Sequence, residues 1–262
     1  MKKRLAVIML VGVSRFFYLT ADAQPVVGLD NWYNHEVNPK TGTSFHYLWT
    51  DTAFSGYSRW GKIFTSRGAK LSTLEKPDAI ILNKVDIYII VDPDTTTESK
   101  APNYIMLQEA KIIEQWVKNG GVLALLGNDA PNCEFTHFNQ LASLFGMTFS
   151  HVTLHPVTGT NFEMGASKNL PDHPLFKGVR RIYLKEITTL KVAGPASAVL
   201  TEDGDVIMAF SHLGKGAVFA VGDPWLYNEY MGTWRLPEGY DNPRAAKNLI
   251  QWLLAVSGSN AK

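Results

Sequence analysis

The chain has a single cysteine, Cys133, among 262 residues. An internal disulfide and a structural CxxC zinc site are therefore both excluded, and an ordinary hydrophobic core must hold the fold, which about 240 residues can supply. A Gly-x-Ser-x-Gly elbow is absent, and Cys133 lies beyond Asn128-Asp129-Ala130-Pro131 instead of directly after an apolar run, so an elbow nucleophile has no support. There is also no Walker-type loop. Gly214-Lys215-Gly216 reads as a tight turn feeding a strand, which argues against phosphate transfer and dinucleotide binding. Asp92, Asp94 and Asp129 suit a hard divalent cation by ligand type, but their spacing fits no EF-hand or comparable motif, so no metal or other cofactor is expected.

Long apolar runs are missing as well. Lys2-Lys3-Arg4, a short apolar stretch over Leu5 to Val13 and the small-x-small triplet Ala21-Asp22-Ala23 describe a secretory signal peptide over residues 1–23. Its apolar stretch is far below the roughly 20 residues that span a bilayer. The expected product is exported and periplasmic, with no membrane attachment after cleavage. Removing Lys2, Lys3, Arg4, Arg15 and Asp22 leaves 21 basic and 23 acidic side chains of the original 25 and 24. So balanced a chain has no global field for a polyanion, and nucleic acid is not an expected partner.

What is plentiful is aromatic surface and alternation. Seven tryptophans and ten tyrosines offer flat faces of the kind sugar rings stack on, although aromatics are equally good core material. Pro25 to Asp30, Asp86 to Val91, Val122 to Leu126, Met147 to Phe149 and Phe219 to Val221 read as strands. Ser58 to Ser66, Met106 to Lys118, Phe135 to Phe145 and Arg244 to Val256 read as helices, with Gly68, Gly120 and Gly146 as stops. Strands alternating with helices predict an α/β fold with a doubly wound, mostly parallel sheet of flavodoxin-like or glutamine amidotransferase-like type. Short alternating runs over about 152–211, with Asp203-Gly204 as a hairpin signal, predict a β-rich insertion in a single domain over 24–262.

Four of these strands end in polar residues: Asp30-Asn31, Asp92-Pro93-Asp94, Asn128-Asp129 and Asp223. In a parallel sheet those ends share one edge, where open α/β sheets bind their ligands. Taken singly, acids at strand ends more often cap helices and turns. The run Gly222-Asp223-Pro224-Trp225-Leu226-Tyr227-Asn228-Glu229-Tyr230 is too polar and too aromatic for a plain connector, and the first long loop adds Tyr33, His35, His46, Tyr47 and Trp49. His35 and His46 lie in loops beside acids. Lys185-Glu186 reads equally as a surface couple.

On Asp30-Asn31-Trp32-Tyr33-Asn34-His35-Glu36, Val91-Asp92-Pro93-Asp94, Trp116-Val117-Lys118-Asn119-Gly120-Gly121 and the 222–230 run, the chain resembles the class I glutamine amidotransferase-like domain of uncharacterised function found in exported Bacteroidetes polysaccharide-degrading proteins. The similarity extends over most of residues 24–262. It departs from working amidotransferases in having no elbow cysteine, so glutamine hydrolysis is not implied. Such domains look similar to the partner domain of unsaturated glucuronyl and rhamnogalacturonyl hydrolases of glycoside hydrolase families 88 and 105, which need a C4=C5 double bond at the non-reducing end. A saturated terminal uronate acquires that bond only by losing water. The resemblance thus implies an oligosaccharide dehydratase of ulvan-type degradation, taking a uronate-containing oligosaccharide and acting alongside a hydrolase specific for unsaturated uronates.

Such an elimination needs the substrate carboxylate neutralised, a base at C5 and an acid for the departing C4 hydroxyl. Tyr227, Tyr230, His35 and His46 are the candidates for proton transfer. Lys185, Arg59 and Asn228 are candidates for the carboxylate, and Trp225 and Trp32 for ring stacking. Asn31, Tyr33, Asp92, Asn128, Asp223 and Glu229 complete the expected lining. Two alternatives remain open on the residues: a non-catalytic carbohydrate-binding domain assisting an unsaturated glucuronyl hydrolase, and glycoside hydrolysis by a pair such as Asp223 with Glu229 or Asp92.

Overall fold

A computed structural model describes residues 24–232 and 235–259. The segment expected to be a signal peptide lies outside them. In chain order the elements are β1 (Val26–Asp30), α1 (Ser58–Ser66), β2 (Lys70–Leu74), α2 (Ala79–Leu82), β3 (Ile87–Val91), α3 (Leu107–Lys118), β4 (Val122–Leu126), α4 (Phe135–Ala142), β5 (Met147–Phe149), β6 (Ala166–Ser167), β7 (Ile182–Tyr183), β8 (Leu190–Val192), β9 (Ala196–Glu202), β10 (Asp205–Leu213), β11 (Gly216–Val221) and α5 (Asn242–Ser259).

Nine strands form one sheet in the order β2-β1-β3-β4-β11-β10-β8-β5, with β9 also paired to β10. The β2-β1-β3-β4-β11 half is parallel throughout. Beyond β11 every pairing is antiparallel. The fold is therefore α/β with a mixed sheet, which corrects the expectation of a mostly parallel one. The physical reason is the Gly214 turn: two strands joined by so short a connection can only run antiparallel, and β10, once reversed, carries β9 and β8 as antiparallel neighbours. The strands of the 152–211 segment extend this sheet from β11 outward, apart from β6 and β7, which pair with each other.

Alternation along the central strands makes two cores. Ile87, Ile89 and Val91 of β3, Val122, Ala124 and Leu126 of β4, and Phe219 and Val221 of β11 face one side, against Trp60 and Phe64 of α1 and Ala245, Leu249 and Leu253 of α5. Tyr88, Ile90, Leu123, Leu125, Val218 and Ala220 face the other, against Ile113 and Trp116 of α3 and Phe135, Phe138 and Leu141 of α4. Helix ends follow local chemistry. Glu109 returns to the Met106 N–H at 3.0 Å to open α3, and the Glu134 carboxylate accepts from Thr136 and His137 N–H to open α4. The Asp203-Gly204 pair has φ of 50° and 95°, the two positive values that a two-residue hairpin turn between β9 and β10 requires. Among the described residues no helix is long and apolar enough to cross a membrane.

Candidate functional site

Because β1, β3, β4 and β11 are parallel and adjacent, their C-terminal ends meet at one edge, and the four polar strand ends converge there. They are not equivalent. Asp30 is a structural turn residue: its Oδ2 accepts the N–H groups of Trp32, Tyr33 and Asn34, and its Oδ1 accepts the Tyr88 hydroxyl at 2.5 Å. Burial outweighs those bonds and raises its pKa to about 6.

Asp92 and Asp223 differ from it. Asp92 Oδ2 accepts the Tyr47 hydroxyl at 2.7 Å and Asn128 Nδ2 at 2.8 Å, and Asp223 Oδ2 accepts the Lys185 N–H at 2.9 Å. Each carboxyl keeps its other oxygen buried with no hydrogen-bond partner among the described residues. Burial drives both well above the usual carboxylate range, with Glu98 adding to the effect at Asp92. Both carboxyls thus hold their proton more tightly than an ordinary carboxylate does.

Three phenols cover this pair. The Tyr47 and Tyr227 rings stack at 5.6 Å, and Tyr57 lies 5.4 Å from Tyr47 and 6.3 Å from Tyr227. Tyr57 donates to the Pro224 carbonyl at 2.9 Å, tying the end of α1 to the loop after β11. Burial, reinforced by the neighbouring carboxyls, holds all three hydroxyls well above the usual tyrosine range, so they are proton donors here and not phenolate bases.

Beside Tyr47, the His46 ring sits at 5.7 Å, and its Nδ1 meets Glu36 Oε1 at 2.6 Å. A carboxylate on one ring nitrogen fixes the imidazole and leaves the other nitrogen to act. His35 is placed similarly, with Nδ1 3.1 Å from Asp94 Oδ2 and Nε2 3.4 Å from Ser99 Oγ. Burial raises Asp94 to about 7, aided by Glu36 and Glu98 and opposed by the His35 N–H.

Backbone strain is concentrated in the same place. Six described non-glycine residues have positive φ, and apart from Asp203 of the hairpin they are His46, Tyr47, Asp92, His155 and Glu186. His46, Tyr47 and Asp92 belong to the cluster itself, Glu186 follows the Lys185 that binds Asp223, and the charge of His155 is felt at Asp223. Each such residue costs on the order of 1–3 kcal/mol, and such conformations gather where function holds a side chain against its preference.

The remaining predicted residues divide clearly. Asn128 and Lys185 reach the cluster, the latter through its N–H while its Nζ pairs with Glu186 at 3.1 Å. Tyr230 packs on Tyr183 at 4.8 Å with Leu236, beside a cavity of about 790 Å³ whose wall includes Leu236, Tyr240 and Arg180. Trp225 and Tyr33 are both 0% exposed and serve the two cores, so the stacking role expected of Trp225 has no ring face to use. Trp32 is half-buried, with Lys76 over its ring, and the Asn31 N–H is bound to the Leu74 carbonyl. Asn228 is consumed internally: it accepts the Arg59 N–H and donates to the Asp51 and Ala53 carbonyls and to Ser58 Oγ. Glu229 lies 3.6 Å from Arg235, and the exposed Arg59 side chain lines a separate cavity between α1 and α5. Tyr57 and Glu98 escaped the sequence reading. Tyr57 immediately precedes a helix, and no local pattern shows that it turns back to Pro224, 167 positions away.

No family model matches the chain, and no curated protein matches it. Solved structures do. The N-terminal domain of mmIFT52 superposes with a TM-score of 0.67 at 16% identity, covering 87% of this chain and 97% of that one. Cytoplasmic protein STM1381 from Salmonella typhimurium LT2 gives 0.58 at 14% identity over 88% and 99% of the two chains. Cytoplasmic protein STM3548 from Salmonella typhimurium gives 0.50 at 18% over 87% and 98%. At such identities the likeness concerns the fold alone.

Proposed function

We propose that this chain is an exported oligosaccharide dehydratase that removes the C5 hydrogen and C4 hydroxyl of a non-reducing-end uronate, leaving a 4,5-unsaturated sugar. The observation that carries the reading is the Tyr47 ring flanked by His46 at 5.7 Å and Tyr227 at 5.6 Å, above the buried Asp92. That grouping places a base and an acid next to the same tyrosine ring. The order β2-β1-β3-β4-β11, with helices on both faces, supports reading the parallel half as a doubly wound, glutamine amidotransferase-like core. Cys133 takes no part. It is buried, and burial pushes its thiol well up, away from the thiolate a nucleophile needs.

In this mechanism His46, oriented by Glu36, takes the C5 proton, which the adjacent carboxylate acidifies once it is neutralised. The C4–O bond breaks as Tyr227 protonates the oxygen, so water leaves and the C4=C5 bond forms. The His46 ring is 30% exposed and exchanges the proton it took with solvent, from which the phenolate is refilled. Lys185 binds the uronate carboxylate next to Asp223, and the cavity beyond Tyr230 takes the rest of the oligosaccharide. This division sharpens the roles, because phenols held protonated by burial suit the acid and leave the base to histidine. The product would pass to a hydrolase specific for unsaturated uronates.

Incubation of the protein with saturated uronate-ended oligosaccharides tests this reading. The expected product has lost one water by mass spectrometry and has gained the ultraviolet absorbance of a conjugated enoate. His46→Ala and Tyr227→Phe should each lower turnover by about 10²–10⁴. Binding without any mass change would replace this reading with a carbohydrate-binding domain, and shortening of the chain would replace it with hydrolysis.

A further inference from the structure

A cavity of about 580 Å³ lies between α5 and the one-turn helix Pro174–Phe176. That volume falls within the range of roughly 300–1,000 Å³ in which small ligands are held. Its one large ring is Trp252, half-buried and nearly perpendicular to Phe210 of β10 at 87°, with the centroids 4.8 Å apart. Phe219 of β11 lies 6.3 Å from the same ring. The indole is thus fixed by two aromatics of the sheet while part of its surface stays open to the cavity.

Two polar side chains of the wall are oriented by the backbone. Asn248 Nδ2 donates to the Leu175 and Lys177 carbonyls at 2.9 and 3.0 Å, which uses both amide hydrogens and leaves Oδ1 as an acceptor. His173 Nδ1 accepts the Leu175 N–H at 3.2 Å. A ring that accepts there carries its proton on Nε2, and burial, which lowers the His173 pKa, favours this neutral form. The cavity therefore has one placed acceptor and one placed donor. Asp172, Lys177 and Gln251 add a carboxylate, an ammonium and an amide, and none of these side chains has a hydrogen bond or ion pair among the described residues. One acid and one base cancel, so the wall has no overall pull on an anion or a cation. An apolar ligand would take water from these groups without pairing them. An uncharged ring with several hydroxyls meets both donors and acceptors and can lay its C–H face on the indole.

We infer that this cavity binds a neutral pyranoside, with Trp252 as the stacking platform and Asn248, His173 and Asp172 engaging its hydroxyls. No residue lining it belongs to the strand-end crevice, so it is a second site, and the inference holds whether or not the crevice carries out an elimination.

Ligand-observed NMR titration of the full chain with methyl β-D-glucopyranoside, methyl β-D-galactopyranoside, methyl β-D-xylopyranoside and cyclohexanol, a ring with a single hydroxyl, tests it. Saturable binding of at least one pyranoside with a dissociation constant on the order of 1 mM, much weaker binding of cyclohexanol, and about tenfold weaker sugar binding in Trp252→Ala are expected. Because Trp252 also packs on Phe210, Trp252→Tyr, which keeps a ring in place, should retain binding. Asp172 is exposed, so Asp172→Ala should weaken binding about threefold with an unchanged thermal midpoint. No saturable binding by any of the three pyranosides, cyclohexanol binding as tightly as they do, or affinities unchanged in both alanine variants would overturn the inference. Sugar binding that is lost in Tyr227→Ala but intact in Trp252→Ala would belong to the strand-end crevice and would overturn it as well.

Discussion

At the scale of single residues, Asn228 shows how a polar side chain can be essential without touching a ligand. It is 2% exposed, and its amide closes the loop at Asp51 and Ala53 onto the start of α1. Asn228→Ala leaves the Arg59 N–H and two carbonyls without that partner, and should cost about 2–4 kcal/mol, read from the denaturant midpoint. Asp94 makes a different prediction. Its pKa of about 7 in the fold lies above the ordinary 3.8, so the folded state holds the proton more tightly than the unfolded chain does. The stability this provides is complete below the ordinary value and is lost as pH rises through about 7. Asp94→Asn removes the titration, so its stability relative to the parent should improve by about 2–3 kcal/mol between about pH 5 and about pH 8, measured by urea unfolding at each pH. The acids at strand ends were legible as a group. Which of them cap and which act was not, because Asp30 and Asp92 differ only in what surrounds them.

Among the elements, the end of β11 is the most demanding. A Cβ on Gly222 would come within 1.9 Å of the Thr188 carbonyl, whose own N–H bonds to the Gly222 oxygen at 2.9 Å. Gly222→Ala must therefore push β11 away from the 186–189 segment, and should cost about 1–3 kcal/mol, seen as a lowered thermal midpoint. The same shift would move Asp223 relative to the Lys185 N–H. Most helices were legible because apolar period and glycine stops coincide: Gly68 and Gly146, with φ of 86° and 79°, follow the ends of α1 and of the 143–145 turn. Strand β2 and the short helix α2 were not. Lys70–Leu74 is an edge strand with one fully buried residue, so it lacks the continuous apolar run by which the central strands announce themselves.

Across the whole molecule, β3 and β4 are buried along their full length between the two cores, whereas β9 pairs on one side and β2 lies at the edge. Amide hydrogen exchange should therefore be slower in β3 and β4 than in β2 and β9 by roughly two orders of magnitude or more. Faster exchange in the central strands would show that the two cores do not act as one cooperative unit. The α/β class, the central strands, the principal helices and the convergence of polar strand ends follow from the amino-acid order alone, because each is written in local periodicity or in the parallel topology that periodicity implies. Long-range packing sets the rest: the sheet turns antiparallel past β11, Trp225 and Asn228 are spent inside the fold, and Tyr47, Tyr57 and His46 gather over Asp92. Those outcomes depend on burial and on contacts between segments up to 177 positions apart, for which neighbouring residues carry no mark.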